Sequence, residues 1–146
     1  MEPIPQRIVM LVLDNGTCPV QEWLSGLRDP VTRARITRQI DKLSRGNFGV
    51  RRGVGDSVSE LKLDFGPGYR VYYGQLGRTM VILLGGGDKG NQTADIAKAQ
   101  SLWKQLGQQG IDDEALLPWI TDEEEAQPIK GVAQNGVRPR RKKKSK

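Results

Sequence analysis

Apolar and polar positions alternate along parts of the chain and recur every three to four residues in others, which predicts elements in the order β-α-α-β-β-β-β-α. The strands are expected at residues 8–13, 50–54, 60–65, 69–73 and 80–84, and the helices at 19–27, 30–45 and 92–106. Residues 80–84 are apolar throughout, which is typical of a central strand covered on both faces. The order favours the α+β class, with helices on one side of a mainly antiparallel sheet of four to five strands. Two N-terminal helices and one C-terminal helix would pack on that sheet.

The clearest pattern is a hairpin that turns at residues 66–68, where two glycines flank a proline. One face of its two strands is apolar or aromatic, with Leu61, Leu63, Phe65, Tyr69, Val71 and Tyr73. The other face carries the polar residues Glu60, Lys62, Asp64, Arg70 and Tyr72. The first set is expected to form core, and the second to lie together on one face.

The character of the chain changes near residue 110, which predicts a folded domain over 1–110 and an extension over 111–146. The extension is acidic first and basic at its end, and residues after 128 include few large apolar side chains. Such a segment buries too little surface to offset the cost of ordering it, so we expect it to be largely disordered.

Charge and cysteine content limit the chemistry. Lys and Arg number 23 against 17 Asp and Glu, and most of the excess lies before residue 110, which favours an anionic partner such as nucleic acid. Histidine is absent, and the single cysteine, Cys18, excludes an intramolecular disulfide and zinc sites built from several Cys or His ligands. We expect no cofactor and no metal. No apolar run approaches the ~20 residues of a membrane span, so a cytoplasmic protein without membrane association is expected.

The polar face of the hairpin holds the residue types that RNA cleavage by 2′-hydroxyl attack requires. Such cleavage needs a base, cations that stabilise the pentacovalent phosphate and an acid for the 5′ oxygen. The candidate catalytic residues are Glu60, Lys62, Arg70, Tyr72 and Lys89. The alternative is an ordinary solvated sheet face with cross-strand ion pairs.

Basic residues around this face are candidates for RNA binding, because the planar guanidinium of arginine donates to phosphate in pairs. The candidates are Arg33, Arg51, Arg52, Arg70 and Lys89. Arg33 belongs to a basic helix that could equally be a solvated surface. Lys89 follows three glycines in a segment that lacks the spacing of a phosphate-binding P-loop and is better described as a strand-to-helix turn.

A series of spaced motifs resembles a known toxin family. It includes Trp23-Leu24 with Leu27-Arg28-Asp29, Ser59-Glu60-Leu61, the run from Gly66 to Tyr73, Gly86-Gly87-Asp88-Lys89, and Asp95-Ile96 with Ala99. Over roughly residues 8–106 the chain resembles the addiction-module killer, or HigB-type, subgroup of the RelE/ParE toxin superfamily.

The resemblance implies a RelE-like fold and a toxin of a type II toxin–antitoxin system, neutralised by a cognate antitoxin, a small helix-turn-helix protein. It also implies metal-independent, ribosome-dependent cleavage of mRNA, with Lys62, Arg70 and Lys89 at the family's basic positions. Two positions depart from the pattern. Glu60 replaces a second lysine, and the family's C-terminal catalytic tyrosine is replaced near Asp95 or Ile96. Either the base differs here, with Glu60 or Tyr72 as candidates, or this subgroup uses other chemistry.

Two other functions fit the same residues. The ParE branch of the superfamily inhibits DNA gyrase without cutting RNA, and a relative could bind nucleic acid without any activity. The fold therefore transfers more safely than the function.

Overall fold

The computed structural model describes residues 2–120 and forms an α+β fold, which confirms the predicted class. Six strands make one sheet: β1 (Arg7–Leu11), β2 (Arg51–Gly55), β3 (Val58–Leu63), β4 (Tyr69–Leu76), β5 (Met80–Asp88) and β6 (Leu116–Pro118). Three α-helices accompany it: α1 (Pro19–Gly26), α2 (Pro30–Ser44) and α3 (Gln92–Gln109). Short 3-10 turns at Lys89–Asn91 and Asp113–Ala115 precede α3 and β6.

Local sequence signals set the beginnings and ends of the N-terminal helices. Each starts with a proline, which has no backbone N–H to leave unpaired in the first turn. Asp29 caps α2, and its side chain accepts from the Val31 N–H at 3.2 Å. Gly46 follows the end of α2 with φ of 84°, and a side chain there would meet the backbone of Ile4.

The strand order is β2-β3-β4-β5-β1-β6, so the sheet is mixed rather than purely antiparallel. The first strand pairs in parallel with β5, with Val9 opposite Ile82, and all other neighbours are antiparallel. The sheet therefore has one strand more than the predicted four to five. A parallel pair needs a long crossover, and here the crossover contains α1, α2 and the β2–β4 meander.

Helices cover both faces of the sheet, so the prediction that they all lie on one side is wrong. Gly86 and Gly87 are neighbours on β5 and must face opposite ways. A Cβ on Gly86 would meet the ring of Trp23 in α1, and a Cβ on Gly87 would meet Asp95 in α3. The apolar content of β5 and β1 has the same cause, since strands covered on both faces need apolar side chains on both.

Two cores follow from this arrangement. The first joins alternate residues of the sheet, such as Ile8 and Leu83, to Ile36, Ile40 and Leu43 of α2. The second joins the intervening sheet residues to α3, and its buried members are Val9, Leu11, Val58, Tyr72, Ile82, Leu84, Ala99 and Leu106. The polar face of the β3–β4 hairpin therefore lies on the side of the sheet that α3 covers.

The sheet continues past the predicted domain boundary at residue 110. Strand β6 pairs with β1, with Leu117 opposite Met10, and Trp119 packs against the α2-side core. The Trp119 indole Nε1 donates to Oδ1 of the buried Asp41 at 2.9 Å. Residues 111–120 thus belong to the fold, while the rest of the extension, residues 121–146, lies outside the described residues. Within residues 2–120, no helix is both long and apolar enough to cross a membrane.

A side chain at Gly86 should destabilise the fold, because its Cβ would lie 2.2 Å from the Trp23 ring. We expect Gly86→Ala to lower the free energy of unfolding by about 2 kcal/mol, as overpacking forces α1 away from the sheet. Gly53→Ala is the matched control, since that strand position has nothing within 4 Å of the added Cβ. Urea unfolding would measure both variants, and equal midpoints for the two would contradict the close contact.

Candidate functional site

The register of the sheet brings four of the predicted site residues together on the face that α3 covers. Lys62 of β3 lies opposite Arg70 of β4. Two residues along, and so on the same face, Glu60 lies opposite Tyr72. Arg52 of β2 is opposite Glu60 and extends the cluster by one strand. We call these five residues the hairpin cluster.

Glu60 lies at the centre of the hairpin cluster and is completely buried. Its Oε1 accepts from the Arg52 Nε at 2.9 Å, and its Oε2 accepts from the Gln92 amide at 2.6 Å. The Arg70 Nε lies 3.9 Å from Oε2. Both carboxylate oxygens are therefore engaged, as the burial of a charge requires. Glu60 holds three side chains in place and has no open path to a substrate in this conformation.

Arg70 is 4% exposed and only partly satisfied. One of its terminal nitrogens donates to the Tyr69 carbonyl at 2.9 Å and lies 3.9 Å from the exposed Asp64 carboxylate. Its buried Nε has no hydrogen-bond partner. An unsatisfied buried donor costs free energy, and the attraction to the Glu60 carboxylate 3.9 Å away offsets part of that cost.

Tyr72 is also buried, and its hydroxyl has no hydrogen-bond partner within good geometry. Burial is the main cause that raises the pKa of the Tyr72 phenol far above its ordinary value of 10.0, and the nearby charges of Glu60 and Asp95 add to it. The phenol therefore keeps its proton at neutral pH. Of the two groups predicted as the base, Tyr72 is poorly suited to that role and better suited to hold or donate a proton.

The buried phenols should make the fold sensitive to alkali. Burial raises the pKa of both Tyr72 and Tyr73, so the folded chain holds protons that the unfolded chain releases near pH 10. Stability is then intact below about pH 10 and falls as the pH rises above it. Absorbance of tyrosinate near 295 nm, followed with a structural probe, should show these groups ionising only as the protein unfolds.

The same absorbance titration of the Tyr72→Phe variant identifies which part of the tyrosinate signal comes from Tyr72. The variant should lose one late-titrating phenol and resist alkali better than the parent protein. A Tyr72 phenol that ionised near pH 10 in the folded protein would contradict its burial.

Lys89 joins Arg70 at one end of the hairpin cluster. Its backbone N–H donates to the Gly68 carbonyl at 2.8 Å, and Gly68 lies beside the Arg70 side chain. The Lys89 side chain is exposed and Lys62 is half-buried. The structure thus brings Lys62, Arg70 and Lys89 to the turn end of the hairpin, which we call the basic end.

Two of the predicted RNA-binding arginines lie elsewhere. Arg51 precedes Arg52 on one strand and so faces the opposite side, where its guanidinium lies 4.3 Å from the centre of the Phe48 ring. Arg33 lies on α2 and donates to the Leu27 carbonyl. The interpretation that placed Arg51 in the polar cluster overlooked this alternation, so only Arg52 of the pair joins it.

Sequence reasoning missed the contribution of α3 to the site. Gln92 at the start of α3 donates to Glu60, and one turn later the Asp95 carboxylate lies above Gly87. Burial raises the pKa of Asp95, against the opposing effect of Lys98. The signal was present in the glycines at 85–87, which leave room for close approach of a helix. They lie within β5, which continues to Asp88, instead of forming a flexible turn.

Metal ligands are not grouped in the described part of the chain, where no set of three or more His, Cys, Asp or Glu residues could hold an ion. Among known proteins, the chain is similar to one from Haemophilus influenzae that is named only as an uncharacterized protein. The two are 43% identical over 98 residues, which covers 67% of this chain and 99% of the relative. No protein-family model matches the sequence, and no solved structure matches the chain.

Proposed function

The chain belongs to the same family as the Haemophilus influenzae protein, and we propose that it is the toxin of a type II toxin–antitoxin system that cleaves mRNA on the ribosome. The observation that carries the proposal is the basic end, where Lys62, Arg70 and Lys89 meet beside a buried carboxylate. Arg70 and Lys89 belong to the motif series that resembles RelE/ParE toxins, and Lys62 falls at the family's basic position on the preceding strand. A RelE-like fold, an antitoxin partner and a cytoplasmic location are parts of this proposal.

The basic end suits the stabilisation of a phosphate on which negative charge accumulates. In the proposed reaction a solvent water takes the proton of the RNA 2′-hydroxyl while the 2′ oxygen bonds to phosphorus. The bond from phosphorus to the 5′ oxygen breaks and the 5′ oxygen takes a proton from water, which leaves a 2′,3′-cyclic phosphate and a 5′-hydroxyl. Lys62 and Lys89 would bind the phosphate, and the positive charge of the buried Arg70 guanidinium beside them would stabilise the developing negative charge. Glu60 touches no substrate in this scheme. It is a positioning residue that holds Arg70 and Arg52.

Induction of the full chain in bacterial cells, followed by mapping of mRNA 5′ ends, tests the proposal directly. We expect growth arrest together with new 5′ ends that fall in phase with codons, because the ribosome presents the message one codon at a time. Co-expression of a helix-turn-helix protein encoded beside the chain should restore growth. Growth arrest with intact mRNA would contradict RNA cleavage.

A second candidate function is inhibition of DNA gyrase by binding alone, as in the ParE branch. The observation that favours it is that neither predicted base suits that role in this conformation, because Glu60 is completely buried and burial raises the pKa of the Tyr72 phenol. Cleaved DNA–gyrase complexes that accumulate while mRNA stays intact would select this function. Harmless expression of the chain without any antitoxin would instead select a relative that binds nucleic acid without activity.

A further inference from the structure

The centre of the sheet contains a second feature, which shares only Tyr72 with the hairpin cluster. Strands β1 and β5 are parallel neighbours, yet the chain leaves β1 towards α1 on one face and leaves β5 towards α3 on the other. Adjacent parallel strands whose connections pass to opposite faces leave a crevice at their carboxyl ends. In open α/β sheets that crevice is the usual place for a ligand.

A cleft of about 330 Å³ occupies this position. Its walls come from the segment after β1, from α1, from Tyr72 of β4, from the end of β5 and from α3. They include Glu22, Trp23, Leu84, Asp95 and Lys98. The volume lies at the lower end of the range for small-molecule sites, so a ligand the size of a nucleobase suits it better than a longer peptide. We call it the switch cleft.

The floor of the switch cleft is an open strand edge. Pairing between β1 and β5 ends with Met10 opposite Leu83, whereas β5 continues to Asp88. Gly85 and Gly86 line the cleft beyond the last paired residue, and no strand lies beside them on the β1 side. Glycine leaves backbone N–H and C=O groups uncovered, so this edge can exchange hydrogen bonds with a planar ligand.

Carboxylates dominate the polar groups of the cleft. Asp95 is half-buried and Glu22 is exposed, while Lys98 is the one cation among the residues of its wall. A carboxylate has two acceptor oxygens and binds best to two N–H donors that lie side by side. The Trp23 side chain and Leu84 add apolar surface against which a ring could pack.

We propose that the switch cleft binds a guanine base of the RNA. Guanine presents adjacent donors on its N1 and N2 atoms, which match the two oxygens of the Asp95 carboxylate. Cytosine and adenine offer one amino group beside an acceptor nitrogen, and uracil offers one N–H between two carbonyls. This inference rests on RNA as the substrate of the proposed function, and it assigns a base-recognition role to a part of the site separate from the basic end.

Binding of mononucleotides to the full chain tests this inference without requiring activity. Guanosine 5′-monophosphate should shift the backbone amide signals of Gly85 and Gly86 in NMR spectra. Its affinity in calorimetry should exceed that of the adenosine, cytidine and uridine monophosphates by about tenfold or more. Asp95→Asn replaces one acceptor by a donor and should reduce guanosine monophosphate affinity by about tenfold. Asp56→Asn, which changes an exposed carboxylate in the turn between β2 and β3, is the matched control and should bind as the parent does.

The outcomes separate this inference from the proposed function. Equal binding of all four nucleotides, or shifts confined to the basic end, would overturn it, as would unchanged selectivity in a folded Asp95→Asn protein. Absence of shifts at Gly85 and Gly86 in the parent protein would overturn it without any variant. If the chain bound guanosine monophosphate selectively but left mRNA intact, guanine binding in the switch cleft would be supported and the proposed cleavage of mRNA would be contradicted.

Discussion

Replacement of Arg70 by lysine is expected to reduce mRNA cleavage by about a hundredfold or more while the domain stays folded. Lysine keeps a positive charge close to Glu60, so the buried carboxylate retains a counter-charge. It loses the planar guanidinium, however, and with it the terminal nitrogen that donates to the Tyr69 carbonyl and fixes the position of the charge. The loss should appear in the yield of cleaved mRNA after induction and in recovery of cell growth.

The matched control for this prediction is Arg38→Lys, which makes the same exchange on an exposed position of α2. It should cleave as the parent does. Arg70→Ala removes the charge as well and should abolish toxicity. If Arg70→Lys cut mRNA at the parental rate, the guanidinium would not stabilise the transition state and the basic end would serve for binding only.

The second large effect concerns stability. Glu60→Gln should lower the free energy of unfolding by about 3 kcal/mol, because the 4%-exposed Arg70 loses its buried counter-charge. The amide also places a donor against the side chains of Arg52 and Gln92, which themselves donate to Glu60. Urea unfolding followed by circular dichroism would give the difference.

Arg52→Gln breaks the other ion pair of Glu60, which faces solvent, and leaves the buried pair with Arg70 in place. The Arg52 side chain is 54% exposed, so its loss should cost no more than about 1 kcal/mol. A large cost for Arg52→Gln with a small one for Glu60→Gln would reverse the roles assigned to the two residues. It would show that Arg70 needs no carboxylate for its burial.

Strand alternation carried much of the prediction of the site. The hairpin sequence placed Leu61 and Val71 on one face and the polar residues on the other, and the register has Glu60 opposite Tyr72 and Lys62 opposite Arg70. Side chains of a strand alternate between the two faces of the sheet because of local backbone geometry alone. The residues that share a face can therefore be predicted from the sequence of one strand. The three main helices were predictable for the same reason, since their apolar spacing and prolines are local signals.

The sequence of a strand does not predict which helix covers each face of the sheet. The apolar stripe of α3 shows that the helix packs on something, but it does not say which side of the sheet receives it. The buried state of Glu60 depends on that choice, because Gln92 and Asp95 arrive only when α3 crosses the polar face. Strand β6 is only three residues long, which is too short for an alternation of apolar and polar residues to be recognised. Its pairing also depends on β1, which lies far away in the chain.

The position of β1 also governs how the chain can fold while it is being made. This strand is almost entirely apolar and buried, yet one neighbour, β5, follows it by about seventy residues, and the other, β6, follows later still. At about 5–20 residues per second, synthesis leaves β1 without a partner strand for several seconds. During that time its apolar residues and open backbone edges are exposed to other chains, so a nascent chain of this protein should depend on chaperones until β5 has emerged.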